Sequence, residues 1–232
     1  MKLAVISDIH GNIYALMKAL EDIDEQKVDK TICLGDLVGY GPHPNEVIAL
    51  IKRREIPCIK GNYDASVVDG DYTYIRNTTI NSFSLPWAIN EVRASNKYFL
   101  DSLPTSLEYT FNGVNILFTH GSPKAINEYL FEDTPNTIEV MNNLNHDVLV
   151  CAHTHIPCTK KYSDKLLINV GSVGKPKIGK PNPTYAIINI QDNGKVDVTF
   201  RYLDYEYKRI IKDCTMLKFP SAITSSYETG KE

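Results

Sequence analysis

Residues 1–10, Met1-Lys2-Leu3-Ala4-Val5-Ile6-Ser7-Asp8-Ile9-His10, decide how this chain is read. Ala4 to Ser7 is a short run of buried-strand character, and it ends on a carboxylate and an imidazole two positions apart. The same arrangement recurs downstream. Thr31-Ile32-Cys33-Leu34 leads into Gly35-Asp36, and Pro57-Cys58-Ile59-Lys60 leads into Gly61-Asn62-Tyr63-Asp64. Asn115 to Thr119 leads into His120-Gly121, and Val148 to Ala152 into His153-Thr154-His155. In an open α/β sheet the strand ends converge on one crevice, so loops of this kind can build a single site. Neutral imidazoles, carboxylates and one amide oxygen suit Zn, Mn or Fe better than Mg or Ca alone.

Between these motifs the periodicity switches. Ile13, Leu16, Met17, Leu20 and Ile23 recur at helical spacing, with Asn12 placed to cap the first turn. Thr31 to Leu34 is the second strand, Gly35 to Pro44 a Gly/Pro-rich loop, and Asn45 to Arg53 a helix with Val47, Ile48 and Ile51 inward. A third strand is expected over Ile56 to Lys60. This repeat predicts a parallel sheet with right-handed crossovers. The polar, aromatic-rich stretch 64–103 predicts two or three helices that cover the site or meet a partner. Leu107 to Phe111 and Val114 to Thr119 flank Asn112-Gly113, a hairpin turn. Thr137 to Leu144 predicts a helix. Strands are expected at Val148 to Ala152, Cys158 to Tyr162, Leu166 to Val170, Tyr185 to Ile190 and Val196 to Tyr202. Tyr207 to Leu217 predicts a short helix, and the polar tail 221–232 is expected to fray. One domain over 1–232 accommodates all of this.

Composition narrows the function classes. A chain of 232 residues, 43% hydrophobic and 23% charged, is that of a globular protein. A net charge of −3 provides no field for strong nucleic-acid or membrane binding. No apolar stretch approaches the roughly 20 residues that span a bilayer, and the N-terminus lacks a signal-peptide core. The cysteines, Cys33, Cys58, Cys151, Cys158 and Cys214, are odd in number and scattered, which predicts reduced thiols and a cytoplasmic protein.

In order, Asp8-x-His10, Gly35-Asp36, Gly61-Asn62-Tyr63-Asp64, His120-Gly121 and His153-x-His155 resemble the signature of the calcineurin-like metallophosphoesterase superfamily. The resemblance runs from Asp8 to about Ile190. Leu37 to Pro42 and Asn169 to Gly174 look like its small prokaryotic phosphodiesterase branch. It implies a four-layer α/β/β/α sandwich and two divalent or transition-metal ions, Mn, Fe, Zn, Co or Ni. By the resemblance, Asp8, His10, Asp36 and His155 hold one ion. Asp36, Asn62, His120 and His153 hold the other, with Asp36 bridging. The implied reaction is attack on phosphorus by hydroxide held between the ions, with catalytic parts for Asp36, Asn62, His120, Tyr63 and Asp64. The implied substrate is small, phosphorylated and nucleotide-like, either a phosphodiester or a nucleotide anhydride, and self-association is compatible with this. Dinucleoside polyphosphates or phosphomonoesters, phosphoproteins included, are alternatives. A non-catalytic scaffold on the same fold is the reading from another class, and it expects lost ligands.

Two positions depart from the signature. Ala152 stands for the usual Gly before the histidine pair. Tyr63 stands where many relatives have a histidine that donates a proton to the leaving oxygen. A phenol with pKa near 10 is a weak acid at neutral pH, so Tyr63 is either a poor donor or a lid. Esters whose leaving groups need little help are favoured. Asp64 is expected to orient His10 or another ligand, and His43, Lys175 and Lys177 could face substrate.

Overall fold

Alternation along the first strand sets the layers. In the computed structural model, which describes residues 1–231, β1 (Lys2–Ile6) sends Leu3 and Val5 to one face and Ala4 and Ile6 to the other. All four are fully buried, so the strand lies between two apolar layers. α1 (Ile13–Gln26) follows, started by Asn12, whose side chain accepts from the Ala15 N–H at 3.1 Å. Then come β2 (Lys30–Cys33), α2 (Pro44–Arg53), α3 (Asn62–Asp69), α4 (Thr79–Glu91) and α5 (Ala94–Ser102). The second half has β3 (Ser106–Phe111), β4 (Val114–Thr119), α6 (Pro135–Asn142), β5 (Val148–Cys151), β6 (Cys158–Tyr162) and β7 (Lys165–Asn169). The chain continues through β8 (Thr184–Ile190), β9 (Val196–Tyr202), α7 (Tyr207–Met216) and α8 (Ser221–Thr229).

The strands form two sheets, ordered β2-β1-β8-β9 and β3-β4-β5-β7-β6. Leu3, Val5, Ile32, Phe118, Val150, Ile168 and Ile188 interdigitate between them. Ala4 and Ile6 face Leu16, Leu20, Val47 and Ile51 of α1 and α2. On the far side, Leu117, Leu149 and Leu167 meet Val140 and Met141 of α6. The result is the α/β/β/α sandwich the motifs imply. None of the described helices is long and apolar enough to cross a membrane.

Three expectations are corrected. The sheets are mixed: β1 pairs parallel to β2 but antiparallel to β8, and β6 and β3 run antiparallel to their neighbours. The expected third strand is a single parallel bridge between Cys33 and Cys58. Pro57 has no N–H to give, and the Lys60 N–H turns away to Pro104 at 2.7 Å, so no ladder extends. Over the described residues 221–231 the tail does not fray as expected, and residue 232 lies outside them. Ile223 and Tyr227, one helical turn apart on α8, are buried against Ile210, Cys214 and Phe219.

Candidate metal centre

The loops after β1, β2, β4 and β5 and the N-terminus of α3 meet at one end of the sandwich, and their backbones are strained there. Asp8, His10, Asp36, His153 and His155 all have positive φ, between 48° and 66°. Left-handed backbone in non-glycine residues costs on the order of 1 kcal/mol each and clusters where side-chain aim matters. Hydrogen bonds hold the strain in place: Asp8 N–H donates to Gly35, His10 N–H to Asp36 and Gly11 N–H to Leu37, at 2.9–3.0 Å. Gly61 is the one residue type that fits beside Asp36, because a Cβ there would collide with the Asp36 carboxylate.

Asp8, His10 and His155 form one group of potential donor atoms, and Asp36, His120 and His153 a second, each within 4.8 Å mutual distance. Asp36 links them, its Oδ2 lying 3.6 Å from His10 Nε2 and 3.5 Å from His120 Nε2. Asn62 joins the second group through Oδ1, 2.9 Å from His120 Nε2. All seven side chains are buried. The imidazoles of His10, His120 and His155 each set Nδ1 against a backbone carbonyl, of Val38 (2.9 Å), Leu34 (2.7 Å) and Lys175 (2.5 Å). A carbonyl only accepts, so Nδ1 carries a proton and Nε2 points inward, the orientation ligating histidines require. His10 and His155 consequently face each other, Nε2 to Nε2, at 3.2 Å. Among the described residues, His153 Nε2 is buried with no hydrogen bond, and Asp8 Oδ1 lies 3.1 Å from His155 Nε2 and 3.6 Å from His10 Nε2. A buried nitrogen without a partner, and carboxylate oxygens crowded among imidazole nitrogens, fit a centre completed by cations.

Electrostatics point the same way. Burial opposes the charge on Asp8, but His155, His10 and His120 hold its carboxyl well below the usual range. Burial likewise opposes Asp36, and His120 and His10 prevail in lowering it. His120 would lose its proton by burial alone; Asp36 and Asp8 instead raise it to about 10. Burial, aided by His120, lowers His153 to about 3, and burial lowers His155 to about 4 against the pull of Asp8. Without cations, protonated His120 offsets only part of the charge of the two carboxylates, while His153 and His155 stay neutral and ready to donate.

Asp64 takes the second of its two expected tasks, serving a ligand-type residue other than His10. Its carboxylate accepts from the N–H groups of Asp36 (2.8 Å), Leu37 (2.9 Å) and Gly61 (3.0 Å) rather than from His10. It therefore braces the loop that carries Asp36. Burial and the neighbouring Asp36 charge raise its pKa to about 6.

Tyr63 is buried at the cavity wall, and burial pushes its phenol above the usual range. Its hydroxyl donates to Asn81 Oδ1 at 2.7 Å, as does that of Tyr40 at 2.9 Å. The amide orientation is fixed, because Asn81 Nδ2 donates to the Arg76 carbonyl at 2.8 Å. Both phenol protons are committed to Asn81. The cavity, of about 180 Å³, is floored by the ligand-type residues and walled by Tyr74, Arg76, Asn127, Tyr129 and Lys177. Of these only Lys177 stands out in the sequence. His43 is elsewhere, 2.9 Å from Asp213, and Lys175 is buried with its ammonium 4.7 Å over the Tyr40 ring.

Comparison with known proteins agrees with this geometry. The chain is 34% identical over 230 residues to the uncharacterised protein MJ0912 of Methanocaldococcus jannaschii, covering 91% of this chain and 92% of that one. It is 26% identical over 191 residues to the phosphodiesterase YfcE of Escherichia coli K12, covering 78% and 84%. The crystal structure of a metallophosphoesterase from Sphaerobacter thermophilus superposes with a TM-score of 0.83 at 25% identity, over 99% of both chains. Residues 1–193 match the family described as the calcineurin-like phosphoesterase superfamily domain, and the chain belongs to that superfamily.

Proposed function

We propose that the chain hydrolyses small phosphodiesters or phosphoanhydrides with two divalent or transition-metal ions. Asp8, His10, Asp36 and His155 hold one ion, and Asp36, Asn62, His120 and His153 the other. Its standing as a phosphoester hydrolase follows from the family and from a relative named as a phosphodiesterase. The carrying observation is His153 Nε2, buried without a hydrogen bond among the described residues, in a cluster that keeps every expected ligand. A scaffold would be free to lose some of them.

Bound ions would supply Lewis-acid polarisation of phosphoryl oxygens and a water acidic enough to attack at neutral pH. The chain's own residues supply the rest. The carbonyls of Val38, Leu34 and Lys175 fix imidazole tautomers and aim. Asp64 fixes the Asp36 loop. Tyr63 gives its proton to Asn81 rather than to the departing oxygen, which favours good leaving groups. A nucleotide-like substrate fits the aromatic wall of Tyr74 and Tyr129. Five free cysteines support a reducing, cytoplasmic setting.

Elemental analysis after gentle purification and Mn reconstitution, paired with bis-p-nitrophenyl phosphate hydrolysis, tests the proposal. The expected result is close to two ions per chain and Mn-dependent turnover. At most one ion and no turnover would overturn it.

A further inference from the structure

We infer that Arg76 and Lys177 grip the leaving phosphate of the substrate, and that the preferred bond is therefore a phosphoanhydride. This rests on the hydrolase reading above and narrows its substrate class. Arg76 and Lys177 are the two cationic side chains lining the cavity, whose floor is His10, Asp36, Asn62, His153 and His155. The chain as a whole is acidic, so positive charge at this mouth is local.

Arg76 is exposed and rests on an aromatic ring. Its guanidinium lies 4.7 Å over the ring of Tyr129, and that ring stacks on His153 at 4.1 Å. A cation–π contact of this kind engages no N–H in a hydrogen bond and is compatible with a bidentate grip on phosphate. The backbone beneath is pinned on both sides. The Tyr74 carbonyl accepts from Asn62 and Asn127 side chains, both at 3.4 Å, and the Arg76 carbonyl from Asn81 at 2.8 Å. Lys177 is held beside the other histidine, its N–H donating to the His155 carbonyl at 3.2 Å.

Leaving-group chemistry selects among substrates. Tyr63 has its proton on Asn81, so a leaving alkoxide finds no acid at the position where relatives have a histidine. In anhydride hydrolysis a water oxygen forms the new P–O bond and the bridging P–O bond breaks. The electron pair departs on the terminal oxygen of the leaving phosphate, while the water's protons pass to product oxygens and solvent. That leaving group needs no proton, and the charge it gains is what Arg76 and Lys177 are placed to neutralise. A p-nitrophenolate needs no proton either, but offers the two cations a single charged oxygen where a leaving phosphate offers several.

The test uses the full-length, Mn-reconstituted protein with diadenosine tetraphosphate and bis-p-nitrophenyl phosphate. Wild type should favour the tetraphosphate in kcat/KM. Arg76→Ala should lower kcat/KM on the tetraphosphate by roughly 10- to 100-fold, and on the diester by less than about 3-fold, with partial recovery in Arg76→Lys. Calorimetry gives a second readout: wild type should bind inorganic pyrophosphate about 10-fold tighter than orthophosphate, and Arg76→Ala should erase most of that difference. Equal losses on both substrates would overturn the inference, by showing that Arg76 acts only through Tyr129 and His153. A wild type that cleaves the diester but not the tetraphosphate would overturn it while leaving the hydrolase reading intact. Cleavage of neither would overturn both.

Discussion

One carboxylate, that of Asp36, does two things at once. Its Oδ1 accepts from the Tyr63 N–H at 2.7 Å, and its Oδ2 sits between His10 and His120. Asp36→Asn keeps the first contact and removes the charge. Turnover on bis-p-nitrophenyl phosphate should fall by at least about 10²-fold, with Mn content dropping below two per chain by elemental analysis. Wild-type kcat with full metal would remove Asp36 from the bridge. Tyr63→Phe addresses the proton. Asn81 keeps its Tyr40 donor, so urea unfolding should show a loss of only about 0.5–1.5 kcal/mol. The dependence of kcat/KM on leaving-group pKa across aryl diesters should be unchanged; a steeper dependence would mean that the phenol had been assisting. The ligand-type residues were legible in the sequence because each follows a strand or a tight glycine-bearing turn. Asn81, Arg76, Asn127 and Tyr129 were not, because no spacing joins them: α4 and two loops bring them together only through tertiary packing.

At the scale of elements, α8 is the instructive case. Ser221-Ala222-Ile223-Thr224-Ser225-Ser226-Tyr227 reads as polar, and its two anchors are outnumbered by hydroxyls. A stripe of two residues carries little periodic signal, yet it suffices when α7 offers Ile210 and Cys214 to receive it. The Tyr227 hydroxyl is buried without a hydrogen bond among the described residues. Tyr227→Phe should therefore be neutral or stabilising by up to about 1 kcal/mol, whereas Tyr227→Ala should cost about 3–5 kcal/mol, both read from urea midpoints. A marked loss in the Phe variant would reveal a partner for that hydroxyl. The expected third strand failed for an opposite reason. Cys58 and Ile59 have strand composition, but Pro57 and the Lys60 turn toward Pro104 decide how far pairing can run. The stretch 64–103 was legible as helices, and α3 begins at Asn62 itself, so one ligand-type residue rides on a helix rather than a loop.

For the whole molecule, the outer helices must stay fixed to the sheets that carry the loops. Asp22 of α1 is one such tie: it accepts from Tyr185 of β8 at 2.6 Å, and from Arg201 of β9 at 3.0 Å (Nε) and 2.7 Å (Nη2). The Arg201 hydrogen bonds lower its pKa against burial, with help from Tyr185. A carboxyl with a depressed folded pKa adds stability that is present above its unfolded value of about 3.9 and is lost as pH falls through the folded value. The stability gap between wild type and Asp22→Asn should hold its full size at pH 7 and close only below about pH 4, followed by urea unfolding. A gap that persists undiminished at pH 3 would assign it to neutral hydrogen bonding alone. The layers themselves were legible from alternation in β1, but the mixed direction of the sheets was not. β8 lies far from β1 in sequence, and nothing local records that it will insert beside it.

The cluster draws Asp8, His10 and Asp36 from loops of the first sheet, and His120, His153 and His155 from the second. It is therefore a clasp as well as the proposed reaction centre. Parting the two sheets is the same movement as pulling these side chains away from one another, so whatever fills the cluster sets how fast the sandwich can open. A chelator would act on this protein as a key before it acted as a poison: the interior between the sheets would breathe, exchange and meet proteases while the outer helices were still wound.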